Sequence, residues 1–129
     1  MEADLIGKLR YKELDGRHSG NGIFKYYVCT LPPPTYQRFY PNTRLDFHMN
    51  KVFDFILLRN WCWDTWGPSC DFKDYVNIHY AKLDAKYAPN IINKLELNDH
   101  WTFSNDREKE CRIYLKSDED LAWLKIRWE

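Results

Sequence analysis

Between Leu5 and Leu14 the chain alternates, with Lys8, Arg10 and Lys12 interleaved with Leu9, Tyr11 and Glu13. A two-residue period with one polar face predicts an edge strand. Asp15-Gly16 and Ser19-Gly20-Asn21-Gly22 follow, residue types that supply the backbone angles of tight connections. Ile23 to Leu31 is then aromatic and β-branched, which predicts a second strand. Pro32-Pro33-Pro34 has no amide hydrogens to give to a ladder, so the strand ends there in a stiff, extended connector.

The period lengthens at Thr43. Its hydroxyl suits a helix N-cap, and Asp46 sits favourably at the positive end of the dipole. Leu45, Met49, Val52, Phe53, Ile56, Leu57, Asn60 and Trp61 recur at steps of three and four, predicting one apolar stripe on a helix from Thr43 to Trp66. Gly67-Pro68 stops it, since glycine accepts the left-handed cap and proline cannot continue the ladder.

Past Ser69, Tyr75 to Tyr80 alternates and predicts a strand, although Phe72, Val76, Tyr80 and Leu83 also fit a helical face. Ala88-Pro89-Asn90 breaks the chain, and Ile91 to Leu97 reads as a short strand or a helical turn. Trp101–Ser104 and Cys111–Lys116 flank a charged connection and predict a hairpin. Ser117 to Asp120 caps a short helix through Trp123, after which Leu124, Ile126 and Trp128 alternate with Lys125 and Arg127 as a last strand. The expected fold is a single α+β domain over residues 1–129. One mainly antiparallel sheet packs against a single long helix, in a βαββαβ-like order with a reduced second helix.

Composition adds an aromatic excess. Six Trp, nine Tyr and seven Phe in 129 residues exceed what one small core readily hides, so some are expected at an interface. The formal net charge of +0 removes the positive field of a non-specific nucleic-acid binder. The opening Met1-Glu2-Ala3-Asp4 resembles no signal peptide and no apolar run reaches membrane-span length, so a cytoplasmic protein without a membrane partner is expected. Cys29, Cys62, Cys70 and Cys111 then read as reduced thiols.

Trp61-Cys62-Trp63-Asp64-Thr65-Trp66 is the sharpest local feature. Relative to Trp61, Trp63 points about 200° away and Trp66 about 140° away, so no one stripe holds all three. Either the helix end is sandwiched between layers, or Trp63, with Trp66, is an exposed anchor for a partner. Tyr36, Arg38 and Tyr40, on the loop after Pro32-Pro33-Pro34, are further contact candidates, and that loop could also stack bases.

Candidate chemistry is sparse. Cys62 and Cys70 with His48 and His79 match no usual zinc spacing, and Cys62 lies near a helix C-terminus, where the dipole opposes a thiolate. His18 and His48 read as solvated surface. Asp64, Asp71, Asp74, Asp84 and Asp99 offer carboxylates, with nothing to single out a pair. Phosphate loops, nucleophile elbows and zincin motifs are missing, so no catalytic residue, cofactor or metal is assigned.

Trp101-x-Phe103, Arg112 to Lys116, Asp118 to Asp120 and Leu124 to Trp128, with Trp61-Cys62 and Gly67, resemble the end of small uncharacterised proteins of tailed bacteriophages. The resemblance covers the C-terminal half and implies action by binding a bacterial host protein or defence complex from within the infected cell. The expected function is a non-enzymatic protein-binding module, an inhibitor or modulator of such a complex, with self-association through the aromatic surface a further expectation. A small hydrolase or nuclease with Asp/His chemistry and a single-strand nucleic-acid module are the alternatives.

Overall fold

The structure, a computed structural model, describes residues 4–18, 20–31, 44–83, 96–104 and 111–129, with backbone only over 44–51. Its elements are β1 (Lys8–Glu13), β2 (Tyr26–Leu31), α1 (Arg44–Trp66), α2 (Phe72–Leu83), β3 (Trp101–Ser104), β4 (Arg112–Leu115) and α3 (Asp118–Trp128). The strands form one antiparallel sheet in the order β1-β2-β4-β3. The α+β class, the antiparallel sheet, the edge position of β1 and the pairing of β3 with β4 agree with the sequence reading.

Two segments read as strands are helices. Residues 75–80 lie within α2, which begins where the Asp71 carboxylate accepts the Asp74 amide at 2.9 Å and the Asp71 carbonyl accepts the Tyr75 amide. Capping at Asp71 starts a helix that buries Tyr75 and leaves Tyr80 and Leu83 exposed. Residues 124–128 continue the helix that Ser117 caps, its hydroxyl accepting the Asp120 amide at 3.1 Å. Alternation of Leu124, Ile126 and Trp128 misled because Leu121, Leu124 and Trp128 also stand at helical spacing, and it is Leu121 and Leu124 that reach the core while Ile126 is exposed. The single-long-helix βαββαβ expectation therefore gives way to the order ββααββα.

Register sorts the core into two halves. Val28 opposes Ile113, which opposes Phe103, so these three share a face. That face meets Phe55, Leu58 and Cys62 of α1 and Leu121 and Leu124 of α3. Tyr27 opposes Tyr114 on the other face, where Leu14, Phe24 and Tyr75 gather beneath α2. Phe72 stacks on Tyr114 with centroids 4.3 Å apart, and the Lys116 ammonium lies 5.2 Å from the Tyr75 centroid. Burial lowers the Lys116 pKa, because the surrounding rings replace water around its charge.

The two sheet edges are treated differently. Along β3, the Ser69 hydroxyl donates to the Trp101 carbonyl at 2.9 Å, the Thr102 hydroxyl donates to the Cys70 carbonyl, and Asp71 bridges to Phe103. The chain between α1 and α2 thus covers that edge. β1 instead presents the exposed side chains of Lys8, Arg10 and Lys12, a charge pattern that discourages edge-to-edge pairing.

Candidate interaction surface

α1 spans 23 residues, about 35 Å of helix. It closes at Gly67, whose φ of +93° is the left-handed cap and whose amide donates to the Trp63 carbonyl at 2.9 Å. Further carbonyls are met from the sheet side. Asn98 Nδ2 donates to the carbonyls of Trp66, Gly67 and Pro68, and Trp101 Nε1 donates to Gly67 at 2.9 Å. Asn98 Oδ1 in turn accepts the amides of His100 and Trp101, so one side chain ties the end of α1 to the start of β3. Thr43, assigned as the N-cap, lies outside the described residues.

The inward face of α1 is Asp54, Phe55, Leu58 and Cys62, each at most 1% exposed. Asp54 is held there by two backbone donors, the amides of Ile6 and Gly7, each 2.7 Å from a carboxylate oxygen. Phe53, Ile56, Asn60 and Trp63 are exposed. On a wheel of 100° per residue these four fall within about 80°, centred about 165° from the inward set.

This revises the stripe read from the sequence. The expected stripe is not one continuous face: its members Phe53, Ile56 and Asn60 face outward, and Val52, Leu57 and Trp61 are half-buried flanks. Leu45 and Met49 have no described side chains. The helix carries two apolar sets at the same spacing, and the periodicity is satisfied by either. What selects the inward set is the sheet, together with the Asp54 carboxylate that only the Ile6–Gly7 turn completes.

The three tryptophans divide as their angles require. Trp61 meets Trp66 edge-on at 5.2 Å, and Trp66 stacks on His100 at 5.8 Å with planes 13° apart. Trp66 is half-buried between them. Trp63 points away and remains 45% exposed. Sandwiching and exposure thus both occur, on different residues. Tyr36, Arg38 and Tyr40 lie outside the described residues.

The other candidates are held by local contacts. His100 Nδ1 is 2.8 Å from the carboxylate of Asp120, whose side chain is buried, so an imidazole on the approach to β3 holds the first turn of α3. His18, read as solvated, is instead partly buried, with Nδ1 accepting the Asp15 amide at 3.1 Å. Cys62 is buried, and burial first, the Asp120 charge second, pushes its thiol well above the usual range. None of the four cysteines is in a disulfide. Among the described residues no three His, Cys, Asp or Glu side chains are grouped to hold a metal ion, and no helix is long and apolar enough to cross a membrane.

No protein-family model matches the chain, and neither a curated protein nor a solved structure matches it.

Proposed function

We propose that this chain is a protein-binding module that docks through the outward face of α1, with Trp63 as its anchor and Phe53 and Ile56 beside it. The observation that carries the reading is the second apolar face. A helix already seated on its sheet by Phe55, Leu58 and Cys62 keeps a phenylalanine, an isoleucine and a tryptophan in water on the opposite side. Trp66 and His100 support the anchor from behind by fixing the last turn. In the phage setting that the C-terminal pattern resembles, the module acts as an inhibitor or modulator in a complex with host or defence proteins.

Capture from a bacterial lysate tests the reading when wild type and Trp63→Arg are run side by side. A protein held by wild type and released by the variant supports it; identical captured sets overturn it. The circular dichroism of the variant should match wild type, because Trp63 is exposed and is not among the buried residues of either core cluster.

The His100–Asp120 pair favours a second reading, an acid–base enzyme in which Asp120 orients a half-exposed imidazole. A hydrolytic or nucleolytic activity lost in His100→Gln would support it. An activity of that kind left unchanged in His100→Gln overturns it.

A further inference from the structure

Phe53, Ile56, Asn60 and Trp63 are separated by three, four and three residues. Steps of three and four over these positions fit the a/d seam of a two-stranded coiled coil. In this register Phe53 and Asn60 take a positions, and Ile56 and Trp63 take d positions. A lone asparagine at an a position is the residue that sets register and a two-stranded state, since two such amides face each other across a parallel pair and are left unpaired in other arrangements.

The flanks carry a matching signal. Arg59 falls at g and Asp64 at e, five residues on, the relation that joins opposite charges across a parallel seam. Neither makes a described ion pair within its own chain; the Arg59 guanidinium lies 5.8 Å from the Phe55 and Phe103 centroids. Two-fold pairing places each Arg59 beside the Asp64 of the other copy, so the surface is complementary to itself in charge as well as in spacing.

We infer that the occupant of this face is a second copy of the same chain, with the two α1 helices parallel about a two-fold axis, Asn60 against Asn60 and Arg59 against Asp64. The inference rests on the docking reading above and names its partner. The exposed parts of Phe53, Ile56 and Trp63 amount to roughly 250 Å² per protomer, against about 800 Å² per partner in a stable interface. So small an apolar patch fits a weak, reversible dimer and not an obligate one.

Sedimentation equilibrium of the full chain tests this. Wild type should show a monomer–dimer equilibrium that Trp63→Arg weakens at least tenfold. Arg59→Glu and Asp64→Arg should each weaken it several-fold, and the double variant R59E/D64R should restore it, because the reversed charges again meet across the seam. Asn60→Leu should broaden the species beyond dimer. Wild type that stays monomeric at millimolar concentration overturns self-pairing, as does a double variant no better than the singles. If that happens while Trp63→Arg still releases a captured lysate protein, the docking face survives and only its occupant changes. If the captured set is also unchanged, both fall.

Discussion

Replacing Asp54 tests what fixes the rotation of α1. Its carboxylate is 1% exposed and accepts the Ile6 and Gly7 amides at 2.7 Å each. Hydrogen bonds to a charged acceptor contribute about 1.5–3 kcal/mol each, and a donor left buried without a partner costs about 1–3 kcal/mol. Asp54→Ala removes both bonds, while Ile6, being half-exposed, lets its own amide regain some water. The net expectation is a loss of about 3 kcal/mol, or a fall in Tm of roughly 10–15 °C for a chain of this size. Asp54→Asn keeps one accepting oxygen and sets an N–H against the other donor, so about 2 kcal/mol is expected. Urea unfolding followed by tryptophan fluorescence gives the free energies, and hydrogen exchange at Ile6 and Gly7 reports the local bonds. Exchange at those two amides should quicken more than at β2. An Asp54→Ala variant within about 0.5 kcal/mol of wild type, or unchanged exchange at Ile6 and Gly7, refutes the reasoning.

Leu58→Ala, on the inward face, should cost about 3 kcal/mol, whereas Ile56→Ala, two residues away and exposed, should cost under about 1 kcal/mol; equal losses would place the wrong face on the sheet. Gly7→Ala should destabilise measurably, because the added Cβ would lie 2.6 Å from the Leu31 carbonyl oxygen, a backbone atom that cannot step aside; a variant with wild-type Tm would contradict that packing. Trp101→Phe should cost about 1–2 kcal/mol through its bond to Gly67, while Trp128→Phe removes a buried N–H that meets no acceptor among the described residues and should cost less; urea midpoints compare the two. Asp15 is held down to about 2, first by the Arg17 side chain and then by the Arg17 amide. Its folded pKa is depressed, so its stabilisation is present above the unfolded value near 3.9 and is lost as pH falls towards 2. Wild type and Asp15→Asn should therefore differ in Tm at neutral pH and converge near pH 2; a gap that persists there would contradict the assignment.

Much of the fold was legible because its signals are local. β1 and the β3–β4 hairpin come from short alternating runs, and the C-terminus of α1 comes from a glycine that accepts positive φ beside a proline. Residues 75–80 and 124–128 misled for a shared reason. Short aromatic and aliphatic runs satisfy periods of two and of nearly four at once, and the deciding group lies outside the run: Asp71 for α2, Ser117 for α3. Ser117 had been identified as a cap, but the length of helix it starts depended on where Leu121 and Leu124 found a sheet to cover.

The interaction surface shows the same division. From the sequence alone, the angles between Trp61, Trp63 and Trp66 required that at least one indole leave the common face, and Trp63 is the one outside. Which side of α1 is inside was beyond the sequence, because both sides are apolar at helical spacing. Tertiary structure settled it through distant partners: two amides ahead of β1 that donate to Asp54, and Asn98 and Trp101, which hold the helix end against β3. Periodicity fixes that a helix forms and which residues share a side. The side that is buried depends on hydrogen bonds and contacts between residues tens of positions apart, and those exist only once the chain has folded.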